Sequence, residues 1–421
     1  MHFFQYKDNE LYCEDVPVKD IARDVGTPFF LYSEATLVRH FHAFDSGFSG
    51  MEHLTCFAVK SCSNLAILNL FARLGGGADI VSGGELFRAT TAGIPPYSII
   101  YSGVGKTESE IREALEASIL MFNIESPQEL DRVQRVAREL GVVAPVGFRV
   151  NPDVDPKTHS YISTGLAKNK FGIPVEDALR EYRRARSMEG IAIRGVSCHI
   201  GSQLTRIEPF VEALRKLKDF ITRLEAEGLK IYYLDLGGGV GITYSDEQPP
   251  HPHDYAMAIK DELGDLDCTL ILEPGRVIVG NAGILVTEVQ YTKVNTGGEK
   301  DKRFVIVDAA MNDLTRPSLY GAYHEIIPVK KGGGEEQMVD IVGPICETGD
   351  FMARDRNMPK VEQGDLLAIM SSGAYGFTMS SNYNSRTKAA EVLVRGDKYF
   401  VIRSREEYHD LIRGETLPEV V

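Results

Sequence analysis

The sequence lacks the features that mark several classes of protein. It has six cysteines in 421 residues and no pair spaced as CxxC, so neither a disulfide framework nor a zinc site is expected. It has no cluster of basic residues, and 46 lysines and arginines against 60 aspartates and glutamates give a net charge of −14. Such an acidic chain is a poor binder of nucleic acid and of anionic membrane surfaces. The scattered thiols fit a reduced, cytoplasmic protein.

We also expect no segment for export or for crossing a membrane. Its first residues, MHFFQYKDNELYCEDV, carry acids where a signal peptide has a basic and then an apolar stretch. Its longest uncharged run, Leu366 to Ser385, turns to Ser, Gly, Asn and Tyr, whereas a spanning helix needs about 20 mostly apolar residues. Hydrophobic residues make up 43% and charged residues 25%, so we expect a soluble globular protein of enzyme size.

Short apolar runs alternate with amphipathic stretches between about residue 54 and residue 276. Eight runs are predicted strands: 54–59, 78–82, 98–102, 119–124, 145–150, 193–200, 232–236 and 268–273. Seven amphipathic stretches between them are predicted helices. In one of these helices, Ser126, Pro127 and Glu129 form a capping-box start. This pattern fits a (β/α)8 barrel, with a doubly wound parallel sheet as the alternative.

The alternation stops after Arg276. The later runs, from GILVTEVQYTKV to AEVLV, have no convincing helices between them and predict an antiparallel β domain, a barrel or a sandwich. The N-terminal segments LYCEDV and PFFLYS are expected to pair with the C-terminal strands, because an isolated hairpin is only marginally stable. The predicted fold class is α/β, with a barrel at 31–276 and a β domain built from 1–30 and 277–421. A long loop, Asn151 to Pro174, follows the fifth barrel strand, where barrels keep active-site loops.

Three motifs imitate binding sites and are set aside. GVGKT (103–107) lacks the first glycine of a P-loop, because Ile100 stands five places before Gly105. GGGVGI (237–242) does not complete GxGxxG in either register. His40, His42 and the HPH segment at 251–253 have no carboxylate cluster beside them, so they are interpreted as solvated histidines and no metal site is expected.

Polar residues interrupt the ends of the predicted barrel strands. Lys60 ends the first strand in FAVKSCSN, where it is either a snorkelling lysine or a desolvated amine suited to form a Schiff base. Asp79 and His199 also lie in strand segments. A lone strand histidine is more often a satisfied core residue, although a histidine beside a planar cofactor can stack on its ring.

Glycines and an EPGR segment follow the last two barrel strands. Gly237 to Gly239 would let backbone N–H groups approach an oxyanion closely, and late barrel loops are the usual place for a phosphate. The alternative interpretation is a tight turn, which would need one glycine and not three. Glu273 can meet a protonated pyridine nitrogen, and Arg276 can bind a phosphate or carboxylate as a fork. Together with the strand-end Lys60, these groups indicate pyridoxal 5'-phosphate.

The order of these motifs resembles the diaminopimelate decarboxylases, a family of fold-type III pyridoxal-phosphate enzymes related to ornithine and arginine decarboxylases and to alanine racemase. The motifs are GTPFFLY, FAVKSCSN, HIGSQ, DLGGGVGI, EPGR, DLTRPSLYGAYH, GPICETGD and GAYGFTMSSNYN. They cover nearly the whole chain, and their combination is highly specific. The resemblance implies decarboxylation of meso-2,6-diaminopimelate to L-lysine and CO2, the last step of lysine biosynthesis.

The resemblance also implies residue roles. Lys60 would be the Schiff-base lysine, His199 the ring-stacking residue and Glu273 the partner of the pyridine nitrogen. Cys346 would donate a proton, and it would arrive with Glu347 from the neighbouring subunit of a homodimer with shared active sites. Further cofactor contacts are expected from Asp79, Ser202, Gly238, Gly239, Pro274, Gly275, Arg276 and Tyr375. Substrate contacts are expected from Arg276, Arg316, Tyr320, Glu347 and Tyr375.

Two alternatives stay open. The first is a sister pyridoxal-phosphate decarboxylase acting on ornithine, arginine or carboxynorspermidine. Arg316 favours diaminopimelate, because the lone terminal ammonium of ornithine calls for an acid and not a cation. The second is an inactive homologue acting as a binding regulator, which would need neither Lys60 nor Cys346.

Overall fold

The structure is a computed structural model that describes residues 2–155, 170–296 and 301–418. The chain forms two units. The barrel unit comprises Val38–Thr243 and Glu247–Ile278. The sheet unit comprises Met1–Leu37, Tyr244–Asp246 and Val279–Val421.

The sheet unit begins with four strands and one helix. These are β1 (Phe4–Lys7), β2 (Glu10–Cys13), β3 (Val16–Pro17), α1 (Val18–Val25) and β4 (Phe29–Ser33). Strands β1, β2 and β3 form a small antiparallel sheet of their own. Every residue of β4 is buried, and this strand joins the large sheet of the same unit.

The described residues of the barrel unit form nine strands. They are β5 (His53–Ala58), β6 (Gly77–Ile80), β7 (Ile99–Tyr101), β8 (Met121–Ile124), β9 (Ala144–Asn151), β10 (Ile173–Pro174), β11 (Ile191–Ser197), β12 (Tyr233–Asp235) and β13 (Thr269–Leu272). All but β10 pair in parallel with two neighbours, and the pairings of β13 with β5 and of β8 with β9 close an eight-stranded ring. The closed ring confirms the predicted (β/α)8 barrel and excludes a doubly wound sheet, whose edges stay open.

Apolar side chains fill the middle of the barrel. Four different strands contribute a fully buried cluster of Cys56, Ile100, Met121 and Ile271. A Cβ placed on Gly147 or Gly195 would lie 2.9 or 2.8 Å from Met121 Sδ, so the two glycines make room for the methionine. The barrel is therefore a packed core, and its polar chemistry is confined to the ends of the strands.

Helix α2 (Glu34–Asp45) spans the boundary between the sheet unit and the barrel unit in the sequence, and seven helices follow it in the described part of the barrel unit. They are α3 (Leu65–Arg73), α4 (Gly83–Thr91), α5 (Glu108–Ala117), α6 (Pro127–Leu140), α7 (Val175–Arg186), α8 (Glu208–Ala226) and α9 (Pro252–Leu263). Each matches one predicted amphipathic stretch. In α8, Phe210, Leu214, Leu217 and Ile221 are buried at the spacing of one helix face.

The start of α6 differs in one detail from the predicted capping box. Ser126 Oγ accepts a hydrogen bond from the Glu129 N–H at 3.2 Å, as expected. The Glu129 carboxylate, however, accepts from the Glu125 N–H at 3.0 Å and from Lys106 Nζ at 2.6 Å. Both Lys106 and Glu129 are buried, so this acid balances a buried ammonium. The lysine of the GVGKT segment thus has a structural partner.

The predicted loop from Asn151 to Pro174 is described only at its two ends. Its far end forms β10, which pairs in parallel with β9. Residues 156–169 lie outside the described residues.

The remaining strands and helices are α10 (Arg276–Val279), β14 (Gly283–Asn295), β15 (Lys302–Val307), α11 (Arg316–Tyr320), β16 (Ile326–Pro328), β17 (Glu336–Val342), β18 (Phe351–Pro359), β19 (Leu366–Ile369), β20 (Ala390–Arg395), β21 (Lys398–Arg403) and α12 (Tyr408–Leu411). The large sheet has the order β18-β17-β15-β14-β4-β20-β21, and β19 joins β14 to β16. Most pairs are antiparallel, as predicted, but β15 with β17 and β4 with β20 are parallel.

The two N-terminal strand segments behave differently. PFFLYS becomes β4 and lies between β14 and β20, which confirms its pairing with C-terminal strands. LYCEDV becomes part of the small sheet, and among the described residues pairing of this segment with the C-terminal part is limited to an isolated antiparallel bridge between the preceding Glu10 and Lys330. Its link to the later chain includes a bond from the Leu11 N–H to the Val329 carbonyl at 2.7 Å. Across residues 2–155, 170–296 and 301–418, no helix has the length and apolar character needed to cross a bilayer.

Candidate active site

Each strand of the barrel brings a polar side chain to its carboxyl end. In strand order these are Lys60, Asp79, Ser102, Asn123, Arg149, Ser197, Asp235 and Glu273. All except Lys60 are buried. Because the carboxyl ends of parallel barrel strands meet at one face, this set forms the candidate site of the barrel unit.

Lys60 and Asp79 form an ion pair within this set. Lys60 lies in a short helical turn directly after β5, and Asp79 lies in the adjacent strand β6. The Lys60 Nζ is 2.5 Å from Asp79 Oδ2, and the two side chains are 33% and 0% exposed. The second oxygen, Asp79 Oδ1, is buried and has no hydrogen-bond partner among the described residues. The amine is accessible, while its carboxylate partner is fixed in the barrel.

A hydrogen-bonded chain links Glu273 to Asp235. The Asn123 amide nitrogen donates to Asp235 Oδ2 at 2.7 Å and to Ser102 Oγ at 3.1 Å. The Ser102 hydroxyl donates to Glu273 Oε1 at 3.4 Å, and the Gly237 N–H donates to Asp235 Oδ1 at 2.8 Å. The two carboxyl groups also share a hydrogen bond. Four barrel strands therefore fix the position of Glu273.

Burial raises the pKa of Glu273 well above its usual range. The nearby negative charges of Asp235 and Asp79 raise it further, and the charge of Lys60 acts in the opposite direction. The pKa of Asp235 is also raised, mainly by burial. Burial thus favours the protonated forms of this pair, and a cation beside it would favour the charged forms.

His199 follows β11 as a neutral imidazole. Burial, together with the charges of Arg149 and Lys60, lowers the pKa of His199 well below its ordinary value. Its Nδ1 accepts a hydrogen bond from the Gly238 N–H at 3.1 Å, so the ring proton is assigned to Nε2. A neutral ring held in this way is suited to lie flat against a planar ligand.

At each position of the 237–239 segment, close packing or the backbone conformation requires a glycine. A Cβ on Gly238 would lie 2.0 Å from the Glu273 carbonyl oxygen, and one on Gly239 would lie 2.4 Å from that of Gly201. Gly237 and Gly239 have φ of +67° and +115°, which disfavour other residues. The argument that a turn would need only one glycine is therefore wrong here, and the phosphate role of this segment stays a prediction.

The EPGR segment packs against the start of the barrel. The Pro274 carbonyl accepts from the Ala58 N–H at 3.0 Å, and a Cβ on Gly275 would lie 2.9 Å from Ser61 Oγ. Arg276 is 7% exposed, and its Nη2 donates to Ser202 Oγ at 3.0 Å. Two predicted contact residues, Ser202 and Arg276, are thus neighbours.

The sheet unit holds the other predicted site residues. Arg316 and Tyr320 lie at the two ends of α11, where Arg316 is buried and Tyr320 half-buried. Tyr375, after β19, has a φ of +56°, a conformation that costs energy in a residue other than glycine and is frequent at functional sites.

Cys346 and Glu347 are exposed on the loop between β17 and β18. The Cys346 N–H donates to Asn384 Oδ1 at 2.9 Å, and the Tyr383 hydroxyl donates to Glu347 Oε2 at 2.8 Å. The thiol and the carboxylate are therefore presented together, on a loop that a second segment of the same unit holds in place.

The comparisons with known proteins agree with this chemistry. The model of the pyridoxal-dependent decarboxylase family, pyridoxal binding domain, matches residues 34–280. The chain belongs to the pyridoxal-dependent decarboxylases. The diaminopimelate decarboxylase of Vibrio cholerae is 52% identical to it over 422 residues, 100% of both chains. That of Pseudomonas aeruginosa is 52% identical over 417 residues, 99% of both.

Solved structures of the same family share the fold of this decarboxylase over nearly its whole length. Diaminopimelate decarboxylase from M. jannaschii has a TM-score of 0.94 at 42% identity, covering 99% of this chain and 98% of the other. The enzyme from Helicobacter pylori, complexed with L-lysine, has a TM-score of 0.90 at 44% identity, covering 94% and 98%.

The barrel residues of this decarboxylase fit pyridoxal phosphate. Asp79, Asp235 and Glu273 are three buried carboxyl groups beside one accessible amine, so a cationic pyridine nitrogen would offset part of their negative charge. The neutral His199 ring matches a flat cofactor, and Lys60 matches its aldehyde carbon. Ser202 and Arg276 offer a hydroxyl and a cation for its anionic group.

Sequence reasoning missed five members of the strand-end set: Ser102, Asn123, Arg149, Ser197 and Asp235. Three of them are polar residues inside short apolar strands, in ILMFNI, PVGFRV and YYLDL. The same signal singled out Lys60 and Asp79, so a systematic search for polar residues at barrel strand ends would have found them.

Proposed function

We infer that the chain decarboxylates meso-2,6-diaminopimelate to L-lysine and CO2 with pyridoxal 5'-phosphate. The observation that carries this inference is the 52% identity, over all of both chains, with a curated diaminopimelate decarboxylase. The reaction forms lysine and therefore belongs to lysine biosynthesis. The charged strand-end set gives the barrel unit the groups that such a reaction requires.

We assign the cofactor end of the reaction to the barrel unit. When bound, pyridoxal phosphate withdraws the electron pair that CO2 leaves behind. Lys60 holds the cofactor and receives support from Asp79, which keeps the amine at the barrel mouth. Glu273 would keep the ring nitrogen protonated, and His199 would lie against the ring. Gly238, Gly239, Pro274, Gly275, Arg276, Ser202 and Tyr375 are assigned to the remaining cofactor contacts.

We assign the substrate end mainly to the sheet unit. Diaminopimelate has a second amino-carboxylate end, which needs cations for its carboxylate and an acid for its ammonium. Arg316 and Arg276 supply the cations, and Glu347 supplies the acid, with Tyr320 and Tyr375 as further contacts. Cys346, whose exposed thiol lies beside Glu347, delivers the proton that replaces CO2.

The proposed working form is a homodimer in the cytoplasm. Cys346 and Glu347 are expected to serve the active site of the partner copy, as in the family that the motifs resemble. All six cysteines are free thiols, which fits a reducing compartment.

A sister activity on ornithine is less well supported. A lysine/ornithine decarboxylase structure from Vibrio vulnificus shares 21% identity with the chain, which shows the common fold alone. Arg316 is 6% exposed, and a buried cation is a poor neighbour for the lone terminal ammonium of ornithine.

The test is CO2 release by the purified holoenzyme from meso-2,6-diaminopimelate, ornithine and arginine, with L-lysine identified as the product. We expect release from diaminopimelate alone at a substantial rate, and no release after the cofactor is removed by dialysis against hydroxylamine. Faster release from ornithine or arginine would contradict the assignment. An inactive protein that still binds the cofactor would favour a binding regulator.

A further inference from the structure

His324 closes the segment DLTRPSLYGAYH, and the reaction described above gives it no role. The side chain is completely buried, 0% exposed, in the sheet unit. It lies two residues before β16, next to the end of β19, where the Met370 N–H donates to the Glu325 carbonyl at 2.8 Å. The backbone around His324 is therefore fixed by the sheet.

The hydrogen bonds of His324 define its tautomer. Its Nδ1 is 2.9 Å from the Met370 carbonyl oxygen, which can only accept, so Nδ1 carries a proton. Its Nε2 is 3.1 Å from Nη1 of Arg316, and a guanidinium can only donate. His324 is therefore a neutral imidazole that accepts from Arg316 through the lone pair of Nε2.

An aromatic ring supports the same guanidinium from a second direction. The Arg316 guanidinium carbon is 4.6 Å from the centre of the Tyr244 ring. The rings of Tyr244 and His324 are 5.3 Å apart and nearly perpendicular, at 76°. Arg316, the aromatic face and the histidine thus form one packed group within the sheet unit.

A neutral acceptor orients a guanidinium without cancelling its charge, whereas a carboxylate in the same place would pair with it. The direct hydrogen bond fixes one edge of the Arg316 fork, and the Tyr244 face restricts the plane in which it can rotate. Both contacts leave the positive charge in place to attract an anion.

We propose that His324 is a positioning residue that holds Arg316 in the orientation required to bind the substrate carboxylate that is not removed. This inference rests on the proposed function, because it takes Arg316 as a carboxylate-binding residue. It adds how this guanidinium is oriented, by a neutral histidine and an aromatic face.

L-Lysine and 1,5-diaminopentane separate this role from general packing. L-Lysine retains the carboxylate that is not removed, whereas 1,5-diaminopentane has the same two amines and no carboxylate. A residue that positions Arg316 for a carboxylate affects binding of the first compound and not of the second.

The test uses a matched pair of variants in the holoenzyme, His324→Asn and His324→Gln. The shorter Asn can reach the Met370 carbonyl but not Arg316, whereas Gln places an amide oxygen near the position of Nε2. We expect His324→Asn to raise KM for diaminopimelate and the inhibition constant of L-lysine roughly 10- to 100-fold, the range for a hydrogen bond to a charged group, with kcat little changed. The inhibition constant of 1,5-diaminopentane stays unchanged, and His324→Gln remains closer to the wild type.

The role of His324 would be overturned if His324→Asn weakened the binding of both inhibitors equally. It would also be overturned if the inhibition constant of L-lysine did not change. If His324→Asn does not fold, the Tyr244→Leu variant is measured instead, because it removes the other support of Arg316. We expect it to weaken the binding of L-lysine but not that of 1,5-diaminopentane. If Tyr244→Leu weakens the binding of both compounds equally, or does not weaken the binding of L-lysine, the proposal is overturned. If the wild type itself neither releases CO2 from diaminopimelate nor binds L-lysine, the proposed function is wrong, which is a distinguishable result.

Discussion

The barrel unit and the sheet unit present their functional groups in opposite ways. In the barrel unit the groups are buried at strand ends and bonded to one another, as in the chain from Asp235 through Asn123 and Ser102 to Glu273. In the sheet unit, Cys346 and Glu347 are exposed on a loop. The buried groups have fixed positions, and the pKa values of Glu273 and Asp235 are raised, which suits a cofactor that stays bound. The exposed groups suit a substrate that binds and is released as product in each turnover.

The difference also has an energetic side. The carboxyl groups of Glu273 and Asp235 raise the free energy of the protein without cofactor, because burial and nearby negative charges disfavour their charged forms. At the Cys346 loop, the hydrogen bonds to Asn384 and Tyr383 lie at the surface, each contributing about 1 kcal/mol. Substitutions of the buried carboxyl groups in the barrel unit should therefore change both stability and activity. Substitutions at the Cys346 loop of the sheet unit should change activity alone.

The largest expected effect comes from combining one variant of each unit. Lys60→Ala removes the amine proposed to hold the cofactor, and Cys346→Ala removes the proposed proton donor. Each variant alone should lose nearly all turnover. If Cys346 serves the partner copy, mixed subunits form hybrid dimers with one intact site, and random exchange restores about a quarter of all sites.

A tag on one variant confirms that hybrids have formed. Activity that stays at the level of the separate variants, despite proven exchange, would show that Cys346 serves its own chain or no site. Lys230→Ala, which changes an exposed surface lysine, is the matched control and should retain full turnover.

Glu273→Gln should lower kcat roughly 100-fold, a cost typical of losing one preorganised electrostatic contact in an active site. The amide cannot carry the negative charge that stabilises a protonated ring nitrogen. Cofactor affinity, measured by dialysis and absorbance, should change much less than kcat. Unchanged kcat at saturating cofactor would contradict the role assigned to Glu273.

The same variant has an opposite effect on stability. The pKa of Glu273 is raised in the folded protein, so the folded form keeps a proton that the unfolded chain releases above its ordinary pKa of 4.5. The free energy of unfolding therefore falls as pH rises above this value. Without cofactor, Glu273→Gln should melt at a higher temperature than the wild type at pH 8, and the difference should vanish near pH 4. A pH-independent difference would show that Glu273 is not buried with a raised pKa.

The smallest effect is expected from Tyr383→Phe in the sheet unit. The change removes the hydrogen bond to Glu347 Oε2 and frees the carboxylate on its loop. Because the pair is exposed, KM for diaminopimelate should rise only about threefold, with kcat and melting temperature unchanged. Tyr408→Phe, at a tyrosine that is 82% exposed, is the control. A large fall in kcat would mean that Tyr383 takes part in the chemistry itself.

The barrel could be predicted from the sequence because its signals are local. Eight apolar runs and seven amphipathic stretches each reflect a strand or a helix that packs against its neighbours in order. Helices α1 and α2 were missed, since they lie in a region interpreted as strands or left unassigned. The reciprocal half of the Ser126 capping box was also missed, because the partner of Glu129 is Lys106, far away in sequence.

The sheet unit was predicted only in outline. Strand β4 pairs with β20 across more than 350 residues, and the direction of that pairing is parallel. No local pattern encodes such a pairing. The exposed residues Cys346 and Glu347 interrupt no apolar run, so only the resemblance to a family drew attention to them.

Residues of the candidate site could be predicted only where they gave the same kind of local signal in the sequence. Lys60 and Glu273 could be singled out as polar residues at barrel strand ends. Asp235 and Asn123 carry that signal too, but their importance follows from hydrogen bonds between separate strands. His324 gave no signal beyond its place in a motif, because its role depends on a tautomer that three-dimensional contacts define.

The central claim is that Lys60 at the barrel mouth holds pyridoxal phosphate. The most direct measurement is reduction of the holoenzyme with borohydride, followed by digestion and peptide mass spectrometry. We predict a phosphopyridoxyl group on the peptide that contains Lys60, and no such label in the Lys60→Ala variant. A label on another lysine, such as the buried Lys106, or a label that persists in Lys60→Ala, would contradict the account.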